Sequence, residues 1–464
     1  MSTHQTCDIR ADAATHLSPA LYENWGRTLG RQLPAGAKFV VGGDVRDSTA
    51  SFLAALVDGL AQEGLDVVDL GCVPTPVVYY ARRRLQADGC AIVTGSHGAA
   101  ATNGLKWMIG DRRPTPDEVA ALQKAAMPRS GDGQNQPAAA PRTLDVSFDY
   151  VACLQEAFVD SLAARRRIVV DSLHGCWAGK ARRYLQAIFP QSLFSAIHDD
   201  PEGQFSGCTP DCSQPRALRE LCEAVYHERA DLGIAFDGDG DRLALVDDEG
   251  VILNPEETAF AMLESVGDEL RGRRFAYDLR FSDRIADEAR RLGAEPLAER
   301  GGQAFVRSRV CQGDAVFGAE SGGHFFFHAL DGDDDALYAA CRLIAHLARS
   351  DRALADLRRD CPPVYMTPVL RLPVPAADQP GVFEQVRAAW AEFPQRTIDG
   401  VRIDVPGGWA LVRSSSTEPA LVFRFEGLDW HALEALVRRF CDLLPRHGED
   451  LWNSYRTAMG IEEP

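Results

Sequence analysis

A hexapeptide in mid-chain, Asp237-Gly238-Asp239-Gly240-Asp241-Arg242, limits the possible folds more than any other feature of this sequence. It lies between two short apolar runs, 231–236 (DLGIAF) and 243–246 (LALV), which read as buried strands. Gly238 and Gly240 let the backbone bend until Asp237, Asp239 and Asp241 converge. Carboxylates gathered at the end of buried strands repel one another unless a cation holds them. Hard oxygen ligands suit Mg²⁺ or Ca²⁺. Flanking helices and a twelfth-position glutamate are missing, so this is not an EF-hand. Arg242 follows directly, which allows an anion to sit beside the metal.

A second stretch, Cys90 to Lys106 (CAIVTGSHGAAATNGLK), has the same logic of a buried strand ending in a polar loop. Ala91-Ile92-Val93 is the strand, and Thr94-Gly95-Ser96-His97-Gly98 breaks it. A serine at the end of a buried strand stands where α/β proteins place their chemistry. Asn103-Gly104 reads as a turn that brings Lys106 back toward Ser96.

Strands and helices alternate around these two stretches. Residues 38–43 form a strand candidate, and Ser48 is placed to cap a helix over 49–63. A strand at 65–70, a break at Val73-Pro74-Thr75-Pro76 and a helix over 77–85 follow. A linker of Gly, Pro and polar residues covers 130–142. A second series begins at 167–171, with helices near 178–188 and 217–227. A third contains a strand at 275–278, Arg280, and a helix over 282–292. The acidic run 331–335 (DGDDD) precedes a helix over 336–348 and reads as a solvated helix N-terminus. From Val364 onward, strands and hairpin turns dominate, with helices near 382–392 and 430–444. Arg413-Ser414-Ser415-Ser416-Thr417 lies between two strands there, and such residues surround a phosphate well.

Length alone suggests about three domains. The pattern gives four: 1–142, 143–250, 251–361 and 362–464. The expected fold is α/β, with three mixed layers of largely parallel strands and a smaller C-terminal α+β domain around a central cleft. A net charge of −18 argues against a nucleic acid or an anionic membrane as partner. No apolar run reaches the roughly 18 residues of a membrane span. The N-terminus has neither a basic start nor an apolar core, so a cytoplasmic location is expected. Twelve scattered cysteines fit reduced thiols, and Cys208 with Cys212 alone makes a poor zinc site.

The two loops together resemble those of the α-D-phosphohexomutase superfamily, most closely its bacterial phosphomannomutase/phosphoglucomutase group. Cys7-Asp8-Ile9-Arg10, Gly43-Asp44-Val45-Arg46, Pro74-Thr75-Pro76 and the 318–324 segment (GAESGGH) are similar to further motifs of that family. The resemblance implies a phosphohexomutase that moves phosphate between C1 and C6 of a hexose, mannose or glucose phosphate first. It implies a phosphoryl group on Ser96 and Mg²⁺ held by that phosphoserine with Asp237, Asp239 and Asp241. Lys106 becomes the general acid/base, with His97 and Arg10 beside it. Arg242, Arg280, Arg300, Gln303, Glu320, Ser321 and His324 become substrate contacts. Arg413, Ser415, Ser416, Thr417 and Arg424 become the distal phosphate grip. A hexose 1,6-bisphosphate serves as activator and intermediate, and the expected state is a monomer or weak dimer.

Several positions depart from the family pattern. Ser96-His97-Gly98-Ala99 stands where the family has Ser-His-Asn-Pro, and Arg300-Gly301-Gly302-Gln303 where it has Lys-Thr-Gly-His. Gly322 replaces a serine and Cys7 a tyrosine. Most of these concern the sugar side, so an amino sugar, a pentose or a carbocyclic phosphate stay open as substrates. A non-catalytic phosphosugar-binding homologue and a phosphatase are the other readings. A hinge is expected near 361–365.

Overall fold

In the computed structural model the described residues are 3–5, 7–125, 140–415, 419–444 and 446–461. They form four sheets, one for each expected domain. The first orders its strands Thr3–Gln5, Asp8–Asp12, Thr102–Ile109, Gly89–Val93, Lys38–Gly43, Asp66–Cys72 and Arg142–Thr143. Its last four are parallel, and Thr102–Ile109 runs antiparallel to Gly89–Val93. The second sheet sets Leu232–Phe236 parallel to Arg167–Asp171, which is parallel to Leu193–Ile197; Leu243–Asp247 is the antiparallel edge. The third repeats the plan: Glu295–Glu299, Arg274–Asp278 and Phe317–Glu320 are parallel, and His324–Phe327 is antiparallel. The fourth, carried by Gly408–Ser414 and Ala420–Gly427, is antiparallel throughout.

One relationship recurs in the first three sheets. A parallel strand ends, a loop follows, and the chain returns as the antiparallel neighbour. Those three loops are residues 94–101, 237–242 and 321–323. They meet. Added to Gly238, a Cβ would stand 2.6 Å from the Ser96 carbonyl, so only glycine lets the first two loops touch. The Leu243 amide donates to the Gly323 carbonyl at 3.1 Å, joining the second loop to the third.

Packing follows the same division. One continuous apolar core runs from Val40 through Trp177 and Phe236 to Leu343 and Cys361, uniting the first three domains. The C-terminal domain has a separate core around Trp390, Val412, Phe423 and Phe440. It meets the third domain through a small patch of Leu279, Trp409 and Leu411. Polar bonds surround that patch: Ser282 Oγ to Glu426 at 2.6 Å, and Arg402 to the Leu279 carbonyl at 3.0 Å.

Several expectations are corrected. Asn103-Gly104 is not a turn but part of the Thr102–Ile109 strand, paired with Ala11 and Arg10. A Cβ on Gly104 would lie 1.7 Å from the Ile9 carbonyl, so this glycine serves close strand approach. Ser48 precedes the Thr49–Gln62 helix in a helical conformation and gives no side-chain cap; its hydroxyl accepts from Asn103 at 2.8 Å. The 331–335 run is not solvated, because Asp333, Asp334 and Asp335 are all buried. Arginines from distant elements neutralise the first two: Arg82, Arg83 and Arg307 meet Asp333, and Arg113 meets Asp334. Most of the expected 130–142 linker, residues 130–139, lies outside the described residues, and its end enters the Arg142–Thr143 strand. The helices near 178–188 and 382–392 are Ala181–Ile188 and Gln379–Ala389.

Candidate functional site

Ser96 stands at the head of the first loop, fully buried, with φ +50, a left-handed conformation uncommon for serine. Such strain persists only where surroundings enforce it. Asp44 and Arg46 do so here. Asp44 accepts from Thr49 Oγ1 at 2.6 Å, Thr94 Oγ1 at 2.8 Å and the Gly95 amide at 2.9 Å. Arg46, ion-paired with Asp44, donates to the Ser96 carbonyl at 2.9 Å and also to that of Gly98. Ser96 Oγ then lies 3.3 Å from Asp237 Oδ2, across the domain boundary.

His97 is beside it, with Nδ1 3.4 Å from Ser96 Oγ and 3.2 Å from Arg10 Nη1. An arginine only donates, so His97 Nδ1 accepts and its proton is on Nε2. The charges of Arg242 and Arg10, with burial, hold this imidazole far below its ordinary pKa, and it stays neutral. Arg10 is itself paired with Asp8 at 2.8 Å.

Asp237, Asp239 and Asp241 converge, with one oxygen of each within 4.8 Å of the others. Two of their oxygens, Asp239 Oδ1 and Asp241 Oδ1, are buried without a hydrogen-bond partner. A buried carboxylate oxygen left so costs free energy, and a hard cation satisfies it. The residues fit a divalent ion. Lys106 supplies the compensating charge, 2.7 Å from Asp239 and 2.6 Å from Asp241. Burial opposes the ammonium, but these two carboxylates outweigh it and raise Lys106 above its usual value. Asp237, without that contact, is raised by burial and by its two anionic neighbours. Thr75 fixes the loop from the first domain, its hydroxyl on Asp239 at 2.7 Å and its amide on the Asp239 carbonyl at 2.9 Å.

A polar cavity of about 290 Å³ opens beside these groups. Arg10, His97, Arg242, Arg280, Gln303, Glu320, His324 and Arg413 all line it. Glu320 pairs with Arg280 and accepts from the Gly322 amide at 2.7 Å. A Cβ at Gly322 would press on Glu320 Oε2 at 2.6 Å, so the family serine at this position would shift that carboxylate. Arg413 comes from the fourth domain and pairs with Asp399 at 3.3 Å. Asp399 also accepts from the Gly301 amide at 3.2 Å, linking the third and fourth domains at the cavity wall.

Four expected contacts are placed elsewhere. Arg300 is exposed and lies over the Phe305 ring, 4.5 Å from its centroid. Ser321 donates to Asp278 at 2.9 Å, behind Glu320. Arg424 donates to the Arg280 carbonyl at 2.9 Å and faces Glu256. Ser415 is half-buried with its amide on the Ala420 carbonyl at 2.8 Å, and it does not line the cavity. Ser416 and Thr417 lie outside the described residues. The sequence reading missed Arg371, which lines the cavity, and the buried Asp44, Thr75 and Arg113 that support it. Asp44 and Thr75 sat in motifs already noticed, whereas nothing local marks Arg371.

A cavity lined by guanidinium groups, which the cation-ready carboxylate loop reaches through Arg242, is shaped for an anionic ligand. Together with four such domains, it defines the phosphohexomutase class. Models of the phosphoglucomutase/phosphomannomutase family match in series: alpha/beta/alpha domain I over residues 1–127, domain II over 148–250, domain III over 254–365, and the C-terminal domain over 370–443. The chain belongs to the phosphoglucomutase/phosphomannomutase family. It is 30% identical to the phosphomannomutase/phosphoglucomutase of Pseudomonas aeruginosa, covering 95% of this chain and 94% of that one. Identity to a phosphoglucomutase of Neisseria gonorrhoeae is 29%, over 90% of each chain. The crystal structure of a family protein from Burkholderia thailandensis superposes with TM-score 0.84 at 29% identity, covering 99% of this chain and 98% of that one.

Proposed function

We propose that phosphate migrates on a hexose through a phosphoserine at Ser96, with Lys106 as the proton-transfer group and Arg413 gripping the phosphate that does not react. The chain is a hexose phosphate mutase, an isomerase that acts as an intramolecular phosphotransferase. The observation that carries the mechanism is Ser96 Oγ, 3.3 Å from Asp237 on a strained, internally bonded loop at the cavity edge. The domains proposed for this cycle are 1–142, 143–250, 251–361 and 362–464.

In the first half-reaction a sugar hydroxyl oxygen bonds to the phosphorus on Ser96 as the Ser96 Oγ–P bond breaks. Lys106, having left Asp239 and Asp241 and given one proton to solvent, takes the hydroxyl proton, and the departing Ser96 Oγ takes a proton from solvent to become the serine hydroxyl. Asp237, Asp239, Asp241 and the phosphoserine would hold a divalent cation, which would supply charge neutralisation for the transferring group. Arg242 donates to the same oxygens. The other end of the sugar is set by Arg413, with Glu320 accepting from ring hydroxyls. Gripping the remote phosphate turns binding energy into alignment of the free hydroxyl, which is most of what phosphoryl transfer requires. The bisphosphate then reverses and returns its other phosphate to Ser96.

Turnover of glucose, mannose and glucosamine 1-phosphates, each with a trace of the matching bisphosphate, tests this reading. Conversion of a hexose 1-phosphate to the 6-phosphate is expected. Release of inorganic phosphate without isomerisation makes the protein a phosphatase and defeats the reading.

A further inference from the structure

The acidic run 331–335 takes no direct part in that scheme, yet Asp334 is wholly buried close to the metal loop. Its Oδ2 is 2.8 Å from His324 Nδ1, and the other ring nitrogen, Nε2, is 3.0 Å from Arg242 Nε. On the far side, Asp334 Oδ1 accepts from Arg113 Nη2 at 2.5 Å. Arg113 in turn donates to Gln303 at 2.6 Å, and Tyr79 lies 3.2 Å from its Nη2.

Donor rules settle where the His324 proton is. Arg242 Nε carries a hydrogen at any accessible pH, so His324 Nε2 must accept. The ring proton is then on Nδ1, where it donates to Asp334. This also decides between two uses of the neighbourhood. Asp241, His324 and Asp334 lie close enough together to hold a metal ion. A protonated Nδ1 and an Nε2 spent on Arg242 leave His324 no lone pair to offer, so the bonds form a relay from Asp334 through His324 to Arg242, with Asp241 Oδ1 outside it at 3.7 Å from Nδ1.

We propose that Asp334 is a positioning residue for phosphoryl transfer, acting through the Nδ1-protonated ring of His324 to hold Arg242 with its Nη edge toward the cavity. The proposal rests on the assignment of Arg242 to the transferring phosphoryl group. Without the relay, Arg242 has the Asp237 carboxylate, 3.7 Å from its Nε, as the competing partner. A guanidinium drawn toward Asp237 offers its donors to the metal loop instead of to the phosphoryl oxygens. Fixing the tautomer and direction of an imidazole with a buried carboxylate is a general way to orient a group beyond it.

Two measurements test this. The first is the nitrogen-15 spectrum of the full-length wild-type protein at neutral pH, with His324 assigned by its loss in His324→Gln. The expected pattern is a protonated Nδ1 and an unprotonated Nε2. A proton on Nε2, or on both nitrogens, overturns the proposal, and because this reading involves no turnover it stands or falls separately from the mutase mechanism. The second is a double-mutant cycle on kcat. Asp334→Asn is expected to lower kcat roughly tenfold to hundredfold, with KM changed less than about threefold. In an Arg242→Lys background the same change is expected to cost less than about threefold, because the group it orients is gone. Equal loss in both backgrounds means that Asp334 does not act through Arg242. Should Asp334→Asn not fold, the wild-type tautomer alone decides.

Discussion

Lys106 Nζ lies 2.7 Å from Asp239 Oδ2, with Asp241 Oδ2 as close on its other side, so the ammonium serves as the cation of the carboxylate loop. The proposed base is therefore stored as an ion pair on the Oδ2 oxygens of two carboxylates whose Oδ1 oxygens remain for a metal. Removing one partner of a buried pair leaves an uncompensated charge, which costs about 3–5 kcal/mol. Lys106→Met is expected to melt well below wild type in chelator and to regain part of the loss in millimolar Mg²⁺. Equal melting temperatures of variant and wild type in chelator would count against this role.

Asp239→Asn tests the carboxylate loop from the other side. It keeps the shape and the Thr75 contact but removes one charge of three. Activity is expected to fall by about 10² or more, with far-ultraviolet circular dichroism unchanged. Wild-type turnover that persists in metal-free buffer contradicts the metal role altogether.

Intact-mass analysis of freshly purified protein is expected to show a fraction carrying one added phosphoryl group, mapped by peptide analysis to Ser96. Ser96→Ala should lack it and turn over negligibly. A variant with wild-type turnover would mean that no phosphoserine is involved.

The two reacting loops were legible because each combines a buried strand with residues that only chemistry explains: a serine and histidine after Val93, three aspartates among glycines after Phe236. What stayed hidden depends on partners distant in sequence. Gly104 looks like a turn glycine, and only the Ile9 backbone packed against it explains its presence. Asp333 and Asp334 look like helix-terminal solvent charges, since the arginines that bury them come from positions 82, 83, 113 and 307. The correspondence of the three loops stayed hidden too, because their sequences share little beyond glycine and correspond only in their place between a parallel strand and its antiparallel neighbour. Arg424 and Arg413 are indistinguishable as strand arginines. Which one faces the cavity follows from sheet register and the docking of the fourth domain.

The burial of Asp333 has a consequence in acid. Burial by itself would raise this carboxyl, but Arg307, Arg83 and Arg82 prevail and bring it to about 2, below its usual 3.8. A carboxyl lowered in the folded state adds stability that is complete above the ordinary value and is lost as pH falls through about 2. Between those limits it contributes roughly 2 kcal/mol of pH dependence. Urea unfolding at pH 5 and pH 3 should show wild type losing stability on acidification more steeply than Asp333→Asn. The variant itself is less stable at pH 5, having left three arginines short of a partner. Parallel losses in both proteins would mean that Asp333 is not the group being titrated.

The last prediction concerns the fourth domain. Its core is separate from the one that unites the other three, and polar bonds with a small apolar patch join it to the third. The chain leaves the shared core at Cys361 and enters the fourth sheet at Tyr365, which places the proposed hinge between them. From this domain Arg413 enters the cavity, held by Asp399, while the serine and metal loops belong to the first two domains. Losing Arg413 should therefore separate binding from chemistry. Arg413→Ala is expected to raise KM for a hexose 1-phosphate by roughly tenfold or more, as loss of a charge-assisted phosphate contact of about 1.5–3 kcal/mol requires. Mg²⁺ affinity by titration calorimetry and the phosphoryl content of Ser96 should stay at wild-type levels. A variant that loses Mg²⁺ binding or the phosphoserine along with the sugar would show Arg413 supporting the reacting loops instead. The distal grip, and with it the swinging fourth domain, would then have to be abandoned.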